Sequence, residues 1–163
     1  MAKGAKEKTE KTNAMRMLDQ AGIEYTEHVT DMAEGLSGVQ IAELLNEPVD
    51  QVYKTLVTVG KTGEHYVFII PVAAELDLKK AASTVGEKNI EMIKSKELLP
   101  LTGYIHGGCS PLGMKKFFRT TIDETAVLYD KIYVSGGRVG LQVELAFEDL
   151  QKLVEIGMAD LTK

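Results

Sequence analysis

Three stretches of this 163-residue chain carry residues that could do chemistry. The first is Lys54, inside the β-branched run Val52–Val59. Strand alternation puts Lys54 with Val52, Leu56 and Thr58, and leaves Tyr53, Thr55, Val57 and Val59 on the other face. Both sets are otherwise apolar or β-branched, the pattern of a strand covered on both sides. A lysine there must snorkel, pair, or point into a cavity. It is either a strand-end lysine or an ammonium lining a polar pocket. The second stretch, Gly103-Tyr104-Ile105-His106-Gly107-Gly108-Cys109-Ser110-Pro111-Leu112-Gly113, is rich in glycine, which lets backbone approach a ligand or turn its N–H groups inward. The third is Val134-Ser135-Gly136-Gly137-Arg138-Val139-Gly140-Leu141-Gln142. Taken singly, the second reads first as a tight connection with a bulge and the third as an ordinary hairpin turn.

Other chemistries lack their motifs. His28, His65 and His106 are scattered, and the single cysteine, Cys109, has no partner at metal-ligand spacing, so no metal is expected. Phosphate-loop and dinucleotide patterns are absent, and no organic cofactor is expected. Cys109 with His106 three residues away suggests a nucleophile, but activation needs a placed base or a cationic setting. A small buried thiol is the plainer account.

The elements that must position these residues are legible in outline. Thr12 caps a helix bearing Ala14, Met17, Leu18 and Ala21, stopped by Gly22. Ile23, Tyr25 and Val29 suggest a short strand. Ser37 and Gln40 form a capping box for a helix ending before Pro48. Val52–Val59 and His65–Ile70 make a hairpin about Gly60-Lys61-Thr62-Gly63. A helix presents Leu78, Ala81, Ala82 and Val85 and stops at Gly86. Ile90–Ile93 is a short strand, and Ser95 opens a turn of helix. Lys131–Ser135 and Gly140–Leu145 read as strands joined by Gly136-Gly137-Arg138, before a last helix using Ala146, Leu150, Leu153 and Val154. Tight hairpins among helices argue α+β with a mixed sheet, rather than a doubly wound parallel one.

The chain's composition, 44% hydrophobic and 26% charged, is that of a globular protein. Residues 1–11 read as a flexible Lys/Glu-rich tail, and residues 12–163 as one domain. The longest apolar stretch, Tyr66–Ala74, is far short of a membrane span. A lone cysteine and no secretory signal suit the cytoplasm. The net charge of −5 does not advertise nucleic-acid binding, although Lys115, Lys116 and Arg119 form a local basic cluster.

Four runs in order carry a resemblance: Val52-Tyr53-Lys54-Thr55-Leu56, Leu76–Ala82, Thr102–Lys116 (TGYIHGGCSPLGMKK) and Tyr133–Leu145 (YVSGGRVGLQVEL). Together they resemble the YbaK/EbsC-type deacylases, which clear wrongly made Cys-tRNA(Pro) and are related to the editing insertion of bacterial prolyl-tRNA synthetases. The likeness runs over residues 12–161. It implies a compact α+β domain around a curled, barrel-like mixed sheet, with a pocket for the aminoacylated 3′ acceptor end of tRNA. Lys54 falls on the family's signature lysine. Gly107 and Gly108 fall on the glycine pair that approaches the ester, which makes these three the expected catalytic positions. Thr55, His28, Ser110, Ser135, Gly136, Gly137 and Gln142 are the expected substrate-binding positions. His106 and Cys109 stand where relatives usually carry aliphatic residues, Val139 where they carry a basic one, and Gln142 where some have aspartate or serine.

The resemblance also implies a mechanism in which the substrate's own thiol attacks its carbonyl, so that no protein nucleophile is required. Proximity then supplies much of the barrier reduction, and the Gly107 and Gly108 N–H groups would hold the oxyanion. Lys54 would either contact the terminal phosphate and ribose or polarise the carbonyl. Prolyl-tRNA synthetase is the implied partner on the same tRNA, and no membrane is involved. Two other readings stay open: a deacylase for another small mischarged residue such as alanine, and a noncatalytic module for the tRNA acceptor end or a nucleotide.

Overall fold

A computed structural model describes residues 10–163. The expected tail, residues 1–11, falls almost wholly outside them. Local signals act where they stand. The Thr12 hydroxyl accepts from the Met15 N–H and opens α1 (Asn13–Gln20). The Ser37–Gln40 capping box opens α2 (Gly38–Leu44) in both directions. Asp77 caps α3 (Leu78–Val85), and Gly86 ends it with φ +79°. Two further helices follow, α4 (Ser95–Thr102) and α5 (Phe147–Leu153).

Among the described residues eight strands form two sheets. In chain order they are β1 (Thr26–Val29), β2 (Tyr53–Gly60), β3 (His65–Pro71), β4 (Ile90–Met92), β5 (Arg119–Asp123), β6 (Lys131–Arg138), β7 (Leu141–Ala146) and β8 (Ile156–Ala159). The larger sheet has the order β4-β2-β3-β5-β8 and is mixed: β4-β2-β3 pair antiparallel, and β3-β5-β8 pair parallel. The smaller sheet, β1-β7-β6, is antiparallel throughout. A parallel bridge between Val52 and Tyr133 joins the two. The α+β class with a mixed sheet therefore holds, with the strands in two joined, open sheets rather than one closed curl.

The main core lies between the sheets. Tyr53, Val57, Val67, Ile69 and Ile122 meet Ile132, Val134, Val143 and Leu145, with α1 and α5 closing the sides through Leu18 and Leu150. A second core, including Phe68, Ile70, Ala81 and Leu161, covers the other face of the larger sheet. Burial on both faces is what the sequence of β2 required.

Three features depart from the sequence reading. Gly136 and Gly137 are not a turn: β6 runs through them as a bulge between Ser135 and Arg138, and the reversal falls at Val139-Gly140. Gly140 has φ +84°, and a Cβ there would meet the Thr30 carbonyl oxygen. Strands β5 and β8 were not anticipated. The buried strand β5 hides its polarity by local bonding: Thr120 donates to the Phe118 carbonyl, and Asp123 accepts from the Thr125 and Leu161 N–H groups.

Candidate active site

A cavity of about 730 Å³ opens where β2 begins. It exists because β4 is short. Strand β4 pairs only with Thr58–Gly60 and the bridge to β6 falls at Val52, so between them β2 has β3 on one side and an open edge on the other. The Val57 carbonyl accepts from the Ile93 N–H on that side. Strand alternation then turns the Thr55 N–H and carbonyl to the same open edge. The cavity is walled by Val52–Leu56, roofed by residues 33–39 and Ile41, and closed by Leu98, the His106–Gly107 loop, Cys109, Ser135, Val139 and Gln142.

Lys54 is half-buried in this wall. Burial pulls its ammonium below the ordinary lysine range, and Glu75 partly restores it. Among the described residues Lys54 has no ion pair, and Glu75 instead meets Lys163 at 3.2 Å. Two buried oxygens in the same walls, Thr55 Oγ1 and Gln142 Oε1, have no hydrogen-bond partner among the described residues. Unpaired buried polar atoms are costly and sparse, so a pocket that collects them is shaped for a polar occupant. Cys109 is 7% exposed, and burial pushes its thiol up to about 12. A thiol held that high is protonated near neutral pH, the opposite of the activation a cysteine nucleophile needs.

Of the residues expected from sequence, the fold brings Lys54, Thr55, Gly107, Ser135 and Gln142 to one cavity. Gly108, Ser110, Gly136 and Gly137 lie outside the lining, in the loops and strand that carry it, and His28 lies elsewhere. Gly108 donates its N–H to the Ile105 carbonyl at 2.9 Å, so that N–H is already engaged. Its side faces the Arg138 and Val139 backbone, where a Cβ would sit 3.0 Å away. Gly108 is thus closely packed in the loop, while Gly107 lines the cavity with φ +86°. Ser110 is fully buried, its hydroxyl accepting from the Leu112 N–H. Gly137 donates to the Ser135 hydroxyl oxygen at 3.1 Å, orienting that side chain. Gly136 is crowded by Leu141, and its carbonyl accepts from Thr12. His28 stands apart from the cavity wall: it meets Glu144 at 3.0 Å and lies against the Tyr133 ring.

Sequence reasoning missed the roof and the open edge. The roof left one signal, a capping box next to glycine: a Cβ at Gly38 would collide with Val72. The edge depends on register and left none. Among the described residues no cluster of three His, Cys, Asp or Glu side chains is placed to hold a metal, and no helix is long and apolar enough to cross a membrane.

Residues 34–153 match the model of the aminoacyl-tRNA editing domain. The chain belongs to that family. It is 46% identical over 160 residues to a protein of Enterococcus faecalis named as a Cys-tRNA(Pro)/Cys-tRNA(Cys) deacylase, EbsC, covering 97% of this chain and 98% of that one. It is 30% identical over 98 residues to the proline–tRNA ligase of Thermosipho africanus, 60% of this chain but 17% of the ligase. A crystal structure described as a trans-editing enzyme for prolyl-tRNA synthetase superposes with a TM-score of 0.81 at 25% identity, covering 93% of this chain and 95% of the other. A second solved structure, of a hypothetical protein, shares the fold with a TM-score of 0.84 at 20% identity, covering 93% and 100%.

Proposed function

We propose that this editing domain removes cysteine from mischarged Cys-tRNA(Pro), with the aminoacylated 3′ end in the cavity beside Lys54. The observation that carries the reading is the cavity beside β2, where half-buried Lys54 has no ion pair among the described residues and Thr55 Oγ1 and Gln142 Oε1 have no partner there. In this reading the nucleophile comes from the substrate and not from buried Cys109. The substrate's sulfur attacks its own carbonyl carbon, the bond to the ribose oxygen breaks, and the thiol proton ends on that oxygen. The product is free tRNA and a four-membered thiolactone, which water opens to cysteine. Holding sulfur and carbonyl together supplies proximity. Lys54 and the Thr55 N–H at the open edge face the developing negative charge, a task Gly108 cannot take with its N–H engaged. Thr55 Oγ1 and Gln142 Oε1 are acceptors for the α-ammonium. The similarity to part of a proline–tRNA ligase supports action in trans beside that synthetase on a shared tRNA.

His106 on the cavity wall supports a second reading, in which its imidazole activates water against an ester without a thiol, such as Ala-tRNA(Pro). Deacylation of tRNA(Pro) charged with Cys, Ala, Ser or Pro separates these readings. The thiol mechanism clears Cys alone and survives His106→Ala. Clearance of Ala, abolished by His106→Ala, establishes the second reading. Saturable tRNA binding with no deacylation makes the domain a binding module.

A further inference from the structure

The protein is acidic, with 24 carboxylate residues, yet residues 98–122 contain no Asp or Glu, the longest such interval in the sequence. The interval begins at Leu98 on the cavity wall and passes His106, Gly107 and Cys109 on the same wall. It ends in Lys115, Lys116, Phe117 and Arg119, all exposed. The fold holds Lys115 against the segment that leads into the cavity wall, while Arg119 lies beside Tyr66 towards the hairpin turn. The Lys115 N–H donates to the Thr102 carbonyl at 3.1 Å, and the Lys115 stem runs along Gly103. From Gly103 to Gly107, in the cavity wall, the chain spans at most ~14 Å.

Among the described residues none of the three cations has a carboxylate at ion-pair distance. The Lys116 ammonium stands 5.3 Å from the Phe118 ring. Arg119 points its guanidinium at the Thr84 and Val85 carbonyls at the end of α3. Phe117 is 62% exposed, beside a groove of about 360 Å³ whose one carboxylate is Glu155. Cations without carboxylate partners among the described residues, the Lys115 ammonium donating only to the Pro100 carbonyl at 3.4 Å, stand beside an exposed ring on a chain segment that runs into the cavity wall without a carboxylate, a surface that suits a strand of phosphates carrying stackable bases.

Building on the deacylase reading, we infer that Lys115, Lys116 and Phe117 form the landing surface for the unpaired 3′ strand of the substrate tRNA. The two ammonium groups meet phosphates upstream of the ester, and the Phe117 ring lies under a base. Arg119, engaged at the end of α3, adds to the field. Affinity for the nucleic acid is thus separate from the chemistry at Lys54, and a protein of net charge −5 needs only this local surface.

The test compares two esters of cysteine, one on full-length tRNA(Pro) and one on a single nucleoside without phosphates. For Lys115→Ala/Lys116→Ala, the ratio of kcat/KM on tRNA to kcat/KM on the nucleoside ester should fall about tenfold. The slope of log KM against log salt should drop by about 1.4, the share of two single-strand phosphate contacts. Phe117→Ala should raise KM on tRNA about tenfold without changing the slope, and Phe117→Tyr should restore it. Lys79→Ala/Lys131→Ala removes the same charge at other surfaces and should leave the ratio alone. A double variant with the wild-type ratio and slope overturns the inference, as does an equal fall in the control. Wild-type protein that cleaves neither ester defeats the deacylase reading itself.

Discussion

The β2–β3 hairpin carries a polar group at each end, and the two ends treat it differently. At the turn, Glu87 fills the space beside Gly60 and accepts from the Thr62 hydroxyl and N–H and the Tyr66 hydroxyl. Those bonds hold its carboxyl below the usual range. At the start of β2, Lys54 has no ion pair among the described residues and Thr55 Oγ1 has no partner. One end is complete without a ligand and fastens the fold. The other is left incomplete inside a cavity, which is what the proposed role at the aminoacyl end requires: substrate would supply the missing partners. Full satisfaction suits a structural polar group, and its absence inside a cavity is the contrast the predictions below test.

The strongest way to break this contrast is Lys54→Ala. It should leave thermal unfolding unchanged and lower kcat/KM on Cys-tRNA(Pro) by about 10²–10³, the usual loss for one charged contact in a dry site. Paired melting and single-turnover measurements check it; wild-type turnover removes Lys54 from the mechanism.

Glu47 sharpens the contrast, since it is a buried carboxyl outside the cavity with neither oxygen hydrogen-bonded. Burial pushes it up to about 7 from 4.5, with His28 pulling it back and Glu144 adding to the rise. A folded value above the unfolded one means full stability below about pH 4.5 and progressive loss as pH rises to about 7. At about 1.4 kcal/mol per unit the loss is about 3 kcal/mol. Glu47→Gln should gain about 2–3 kcal/mol at pH 8 and almost nothing at pH 4.5, read by denaturant unfolding at both. An equal change at the two values would show that ionisation is not the cause.

Glu87 predicts the opposite sign. Its lowered value makes its contribution present above about pH 4.5 and lost as pH falls through the folded value. Glu87→Leu should lower Tm by a few degrees at pH 7, with the difference closing in acid, while kcat stays at the wild-type level. A variant that loses activity while keeping its Tm would move Glu87 to the functional side.

What could be read from sequence follows the same division. Local signals such as the Thr12 cap, the Ser37–Gln40 box and the Gly86 stop act within one turn of chain and sit where expected. Lys54 was conspicuous because two apolar faces left it no ordinary place. Strand β5 was hidden because Thr120, Thr121 and Asp123 are buried polar residues whose partners lie in the backbone. The settings of the Gly108 and Thr55 N–H groups were hidden as well. Which N–H groups are free depends on the Ile105 carbonyl in one case and on the short pairing of β4 in the other.

The smallest expected effect is at Cys109. Its thiol is protonated, and alanine removes little volume, so Cys109→Ala should retain deacylation of Cys-tRNA(Pro) within about threefold. A larger loss, with the fold intact, would give the residue a part in the reaction.

The most direct measurement is rapid-quench single turnover of Cys-tRNA(Pro) and Ser-tRNA(Pro) by the wild-type protein, with intact-mass spectrometry of the protein at each time point. The two substrates differ by sulfur against oxygen at the attacking position, and a hydroxyl is far the weaker nucleophile near neutral pH. The account predicts that the cysteinyl ester is cleared, the seryl ester persists, and the protein's mass never changes. Comparable clearance of both esters, or an acyl adduct on Cys109, would contradict it.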